Sequence, residues 1–126
     1  MGIVIHEAVI VTLADYVLER EFMPDVEQFR AAIPDEFRHL LVGPIPSVAN
    51  DDVTYFFAPD GGKLGWGTEQ EGSRLRREFA DLFAWRTAEG SSPFDVVVVR
   101  YGSDQEYEDG AQVEVRNPKV RGRAVV

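Results

Sequence analysis

The segment FDVVVVRY, residues 94–101, contains four consecutive valines and predicts a β-strand, because β-branched residues favour extended backbone. A strand in a sheet with one covered face alternates apolar and polar side chains. Val96 to Val99 do not alternate, and neither do Ile3 to Ile5 near the start of the sequence. Both faces of these strands are therefore expected to be covered. A second copy of the chain is the simplest cover, and the alternatives are the loop 45–52, the turn 37–41 and the C-terminal tail.

The segments on either side of this strand predict an α+β fold. Helices are expected at 24–33 and 73–88, and strands at 3–13, 53–58, 63–68, 94–101 and 111–116. Pro-Asp-Gly-Gly at 59–62 lies between two apolar runs and is typical of a hairpin turn. The resulting order predicts a two-layer sandwich, with helices on one face of an antiparallel sheet. It is the ferredoxin-like (βαββαβ) order plus a C-terminal strand.

The length and composition of the chain limit its organisation. A chain of 126 residues has room for one core, so we predict a single domain, 1–126, of which 118–126 form a basic tail. No cysteine is present, which excludes disulfides, thiolate zinc sites and a cysteine nucleophile. No apolar run reaches the roughly 18 residues of a membrane-spanning helix. The first residues lack the pattern of a signal peptide, so the predicted location is cytoplasmic.

The negative charge is concentrated in the first part of the chain. Residues 1–72 hold 13 acidic and 4 basic side chains, whereas residues 73–126 hold 9 of each. The net charge of −9 disfavours nucleic acid and anionic membrane surfaces, so neither is an expected partner. A basic protein surface is the partner that this charge favours.

The sequence contains no complete catalytic or metal-binding motif. His6 and His39 lack the spacing of a metalloprotease helix, and the glycine-rich stretch 61–67 matches neither a P-loop nor a dinucleotide-binding turn. None of the serines lies in a Gly-x-Ser-x-Gly elbow. The acidic turn 104–110 lacks the glycine and the glutamate that a calcium loop needs at its sixth and twelfth positions. We therefore predict no catalytic residue, no metal site and no cofactor.

The predicted helix 73–88 carries three arginines in its first turns, at positions 74, 76 and 77. Cations at a helix N-terminus oppose the helix dipole, so an anion is expected to offset them. That anion is either the pair Glu69 and Glu71, just upstream, or a ligand phosphate. Two ion pairs are also expected at i,i+4 spacing, Arg74–Glu78 and Arg77–Asp81.

The first functional hypothesis is a non-catalytic interaction protein that binds a basic protein surface, of the accessory, immunity, antitoxin or anti-defence type. Trp66 lies between two glycines, which leaves its indole accessible as an anchor. The predicted contact residues surround the hairpin: Asp51, Asp52, Asp60, Trp66, Glu69 and Glu71.

The alternative hypothesis is a dimeric ferredoxin-like small-molecule binder or enzyme. Such a fold can enclose an apolar pocket between a helix and the sheet. His39 or Asn50 would supply the polar group of this pocket. The other residues predicted to line it are aromatic: Tyr55, Phe56, Phe79, Phe83, Trp85 and Tyr101.

Overall fold

The computed structural model describes residues 4–83, 94–102 and 112–116. In these ranges the protein is an α+β structure whose five strands form one antiparallel sheet, in the order β2-β3-β1-β4-β5. The strands are β1 (His6–Ala14), β2 (Leu41–Pro46), β3 (Asp52–Phe57), β4 (Phe94–Tyr101) and β5 (Gln112–Val115).

The helices fall into two groups along the chain. A continuous helical segment follows β1 and consists of α1 (Asp15–Val17), a π-helical turn (Leu18–Phe22) and α2 (Met23–Ala32). The short α3 (Asp35–Arg38) follows it, and α4 (Gly67–Asp81) connects β3 to β4. Pro34 separates α2 from α3, because its ring cannot continue the first helix but can precede the second.

The core lies between the helices and one face of the sheet. Alternate residues of β1, namely Val9, Val11 and Leu13, are almost fully buried there. Phe79 of α4 lies at the centre of this core and packs edge-to-face against Tyr55, with the ring centroids 5.6 Å apart. Three more rings contact Phe79: Phe29, Phe57 and Phe83. The buried apolar side chains of every helix belong to this one cluster.

The predicted order of helices and strands is observed, but the hairpin is formed by different segments. The predicted return strand 63–68 is wrong. Lys63 makes only an isolated bridge to Val4, and the hairpin partner of β3 is β2, at 41–46. Since β1 and β2 flank β3 on its two sides, no edge of β3 remains for residues 63–68. The expectation of a loop at 45–52 is also wrong for residues 45 and 46, which belong to β2, and for Asp52, which begins β3.

The helix boundaries and one of the two expected ion pairs differ from the sequence predictions. Helix α4 begins at Gly67 and not at residue 73, and helical structure begins at Asp15 and not at residue 24. The Arg74–Glu78 pair is confirmed. Arg77 pairs with Glu7 and not with Asp81. The last residues of the predicted helix 73–88, the acidic turn 104–110 and the tail 118–126 lie outside the described residues.

Candidate functional site

The face of the sheet that points away from the helical core carries an uncharged row across all five strands. The strand registers place Val42 opposite Phe56, Phe56 opposite Ile10, Ile10 opposite Val97, and Val97 opposite Val115. We call these five residues the central row and this side of the sheet the second face. Within the described ranges, no helix contributes a buried residue to it.

The central row is exposed at both of its ends. Val42 is 44% exposed and Val115 is 57% exposed, while Ile10, Phe56 and Val97 are half-buried by their neighbours. Val113 and Tyr101 extend the apolar surface along β5 and β4 and are also exposed. Apolar side chains that remain in contact with water over a contiguous area mark an interaction surface.

The charged residues of β5 avoid the second face. Glu114 alternates with the two exposed valines of the strand and therefore points toward the helical side. Arg116, two residues further on and therefore on the same side of the sheet, donates a hydrogen bond of 2.7 Å to Asp81 at the end of α4. The alternation of β5 thus keeps charge out of the central row.

A second distinctive feature is a group of buried and half-buried charges between β1, β4 and α4. Glu7 is 6% exposed, and its carboxylate accepts hydrogen bonds from four side chains. Oε1 accepts from Ser73 at 3.0 Å and from Arg76 Nε at 3.2 Å. Oε2 accepts from Arg77 Nη2 and from Arg100 Nε, each at 3.1 Å. One carboxylate thereby fixes the positions of three guanidinium groups.

Asp60 completes this group of charges from the opposite side. Its Oδ2 lies 2.8 Å from Arg76 Nη2, and both side chains are almost fully buried. Its Oδ1 accepts a hydrogen bond of 2.7 Å from the backbone N–H of Gly62. A Cβ added at Gly72 would overlap Oδ2, so only glycine leaves room for Asp60 at this place in α4. We call Glu7, Asp60, Arg76, Arg77 and Arg100 the arginine cluster.

The arginine cluster borders a cavity of about 290 Å³. Arg76, Arg77, Arg100 and Ser73 supply its hydrogen-bond donors, and Glu7 and Glu69 supply its carboxylates. Ile5 and Leu64 form its apolar wall. The volume is at the lower end of the range for ligand sites.

The six predicted contact residues do not form one surface. Asp51 and Asp52 lie at the start of β3, whereas the other four lie beyond its end, near the start of α4. Asp60 is buried against Arg76, and Glu71 pairs with Arg74, whose hydrogen bonds lower the pKa of the Glu71 carboxyl. Trp66 is 55% exposed and stacks against the ammonium group of Lys63. Glu69 lines the cavity beside the arginine cluster.

The predicted aromatic pocket is also divided among separate places. Tyr55 is fully buried in the core, where desolvation raises its pKa to about 12, partly opposed by the nearby Arg30 guanidinium. His39 and Asn50 line two different shallow cavities, and Tyr101 lies against His6 on the second face. The remaining aromatic residues, Phe56, Phe79 and Phe83, belong to the second face or the packed core, and Trp85 lies outside the described residues.

Sequence reasoning considered the arginines of α4 but missed Glu7 as their partner. The position of Glu7 in its strand could have predicted its burial. Glu7, Val9 and Val11 are alternate residues of β1, and the two valines point into the core. A carboxylate that points inward on a strand requires buried donors. Arg76 could have been predicted as a buried donor, because it lies three residues before Phe79 and therefore on the same, core-facing side of the helix.

The described residues contain neither a metal-binding group nor a membrane-spanning helix. No group of three or more histidine or acidic side chains there is arranged to hold a metal ion. No helix in the same ranges is long and apolar enough to cross a membrane. Compared with known proteins, the chain matches no protein-family model, no curated protein and no solved structure.

Proposed function

We propose that the protein is a non-catalytic interaction protein that associates through the second face of its sheet, and that this face binds a second copy of the chain. The central row supports the proposal: five uncharged side chains cross the whole sheet in register and remain accessible to water. Burying apolar surface of this kind stabilises association by about 25 cal/mol per Å².

The size of the second face is adequate for a small stable interface. Five strands about 4.8 Å apart, and on average about 22 Å long, give a flat footprint of about 500 Å². The relief of the side chains adds to this figure. Standard interfaces bury about 600 to 1,000 Å² on each partner, so the face reaches the lower end of that range.

Charge favours a copy of the same chain over a basic partner at this surface. A basic surface would be recognised by carboxylates. The central row has none, and the strand registers place only Asp52 and Asp95 among the described strand residues on this face, both near one end of it. A two-fold symmetric dimer requires a surface that complements itself, and an uncharged row meets that condition even in a chain with a net charge of −9. Two sheets packed face to face in this way lie about 10 Å apart.

The expected basic partner remains a second proposal, and a different surface supports it. The helices between β1 and β2 expose Glu19, Asp25 and Glu36, none of which pairs with an arginine in the described residues. In the proposed dimer this acidic helical layer would face outward on both sides. Binding of a basic protein there would weaken as salt is added.

A ferredoxin-like arrangement is part of the proposal. The four strands β4-β1-β3-β2 are adjacent in that order, and each pair of neighbours is antiparallel. This is the strand order of a split βαβ fold, with β5 added beside β4. One sheet face in such a two-layer fold has no helical cover, which agrees with the need for a second copy.

The proposal is tested by the mass of the full chain in solution at micromolar concentration. Sedimentation equilibrium should give twice the monomer mass of 14.1 kDa. Val42→Lys and Val115→Lys place a charge at the two exposed ends of the central row. Each should weaken the dimer by roughly tenfold or more. Thermal unfolding of the dissociated variants should show that they remain folded.

Val48→Lys is the matched control, because Val48 is fully exposed on the loop between β2 and β3 and lies outside the central row. Its dimerisation should equal that of the unsubstituted protein. A 14.1 kDa monomer at every concentration would overturn the proposal. A dimer that tolerates both end substitutions would place the interface on another surface and overturn it equally.

A further inference from the structure

We infer that the cavity beside the arginine cluster is a binding site for a small carboxylate with an apolar body. This inference does not depend on the proposed dimer, because the cavity lies on the helical side of the sheet. Three features support it: the charge of the cluster, the hydrogen-bond donors that have no partner among the described residues, and the composition of the cavity wall.

The charges of the cluster leave one positive charge in excess. Arg76, Arg77 and Arg100 carry three positive charges, while Glu7 and Asp60 carry two negative ones. Arg76 lies between the two carboxylates and is held by both. The excess charge therefore belongs to the outer pair, Arg77 and Arg100, which are 39% and 28% exposed at the cavity. Glu69 on the cavity wall balances this excess, so the site as a whole suits a monoanion better than a dianion.

The outer pair has free donors in a fixed position. Each of the two guanidinium groups uses one nitrogen to bind Oε2 of Glu7, so the groups are held side by side. Their other nitrogens make no hydrogen bond to any side chain or backbone group in ranges 4–83, 94–102 and 112–116. Nη1 of the buried Arg76 also has no partner there. A planar guanidinium matches a planar carboxylate with two parallel hydrogen bonds.

The remaining wall favours a ligand with an apolar portion. Leu64 is 52% exposed and, with Ile5, faces the same cavity as the arginines. Glu69 also borders the cavity and would repel a second negative charge on the ligand. The site thus combines paired donors, an apolar contact and selection against dianions.

The experiment uses the full chain and three probes: benzoate, its neutral isostere benzamide, and inorganic phosphate. Binding is followed by amide and methyl chemical shifts in NMR titrations, which also locate the site. Benzoate should shift Ser73, Arg77, Arg100 and the methyl groups of Leu64, whereas benzamide should not. Arg77→Gln and Arg100→Gln should each weaken benzoate binding by about tenfold or more.

Arg74→Gln is the matched control on the same helix. Arg74 is exposed and pairs only with Glu71 and Glu78 within the described chain, so its removal should leave benzoate binding unchanged. The inference is overturned if benzoate causes no shift in the cavity, if benzamide binds equally well, or if Arg74→Gln weakens binding as much as Arg77→Gln. Tighter binding of phosphate than of benzoate would overturn the assignment to carboxylates.

Discussion

Asp60 and Arg76 form a buried ion pair that joins the end of β3 to the middle of α4, with Oδ2 and Nη2 2.8 Å apart. Their side chains are only 4% and 2% exposed. Burying two charges has a high desolvation cost, which only close pairing and further hydrogen bonds offset. Arg76 donates such a bond to Glu7, and Asp60 accepts one from the backbone N–H of Gly62. The pair therefore depends on the close approach of backbone that Gly72 allows.

Replacing Gly72 by alanine should destabilise the protein, because the added Cβ would overlap Asp60 Oδ2 and lie 2.9 Å from its Cγ. Moving Asp60 would break its pairing with Arg76, and we expect a loss of about 2 to 4 kcal/mol in the free energy of unfolding by urea. Gly67→Ala is the control within the same helix, since no atom lies within 4 Å of its Cβ position. It should be neutral or stabilise by up to about 1 kcal/mol. Equal effects of the two substitutions would show that helix propensity, and not space for Asp60, governs position 72.

Glu7→Gln should be strongly destabilising although it preserves the shape of the side chain. The substitution leaves Arg76 buried with one carboxylate fewer and replaces charged acceptors with a neutral one. Removal of one partner from a buried pair costs about 3 to 5 kcal/mol. Asp81→Asn removes an exposed partner of Arg116 and should cost less than about 1 kcal/mol. Urea unfolding of both variants measures the difference, and a Glu7→Gln protein as stable as Asp81→Asn would contradict the expected cost of the lost charge.

Tyr55 should make the protein sensitive to alkaline pH. Burial raises the pKa of its hydroxyl from 10.0 to about 12, so the folded state holds this proton more tightly than the unfolded state does. The corresponding stability is fully present below pH 10 and is lost as the pH rises to about 12. A shift of this size corresponds to roughly 3 kcal/mol.

Tyr55→Phe isolates that effect. The hydroxyl of Tyr55 has no hydrogen-bond partner in the described residues, so near neutral pH the substitution should change stability by less than about 1 kcal/mol. Above pH 10 the variant should become the more stable protein. Parallel stability curves for the two proteins from pH 8 to pH 12 would show that folding does not raise the pKa of Tyr55.

Arg30 should stabilise the edge strand β2. Its guanidinium donates to the carbonyl oxygens of Leu41 at 3.0 Å and Gly43 at 2.7 Å, and so ties α2 to that strand. Arg30→Met removes both bonds and should cost about 1 to 3 kcal/mol in thermal or urea unfolding. Arg20→Met is the control, because Arg20 is 68% exposed and its partners in the described chain are Glu21 and the exposed ring of Tyr16, with no bond to a strand. If both variants lose the same stability, the bonds to β2 contribute nothing measurable.

The strands with strong β-branched character could be predicted from the sequence, since their signals are local. The valines of β4 indicated both that strand and the apolar second face. The β-branched residues of β1 indicated the other strand, whereas Ile3 to Ile5, which gave the same expectation of two apolar faces, precede β1. Leu75 and Phe79 lie at helical spacing within the predicted helix 73–88, and both are buried in the core. In each case the spacing of the apolar residues in the sequence is the spacing at which they face the core: every second residue in a strand, and every third or fourth in a helix.

The errors arise where non-local contacts outweigh local signals. Gly43, Pro44 and Pro46 resemble a loop, yet an edge strand accepts proline, and the register shift between Val42 and Ile45 accommodates the irregularity. The turn at Gly61 resembles a hairpin, but Asp60 points inward to Arg76. The arginine cluster was missed because Glu7 lies more than 50 positions from every other member, and no local pattern connects it with Arg76 or Arg100.

The composition of β2 and β5 has a consequence for how large an assembly of this chain can become. Pro44 and Pro46 have no amide hydrogen to offer along the outer side of β2, and β5 presents only four residues at the other edge. Neither edge is a good template for a further strand from another molecule. Growth of the sheet into a filament is therefore disfavoured at both of these strands, and in the proposed dimer association through the second face would end with a closed pair.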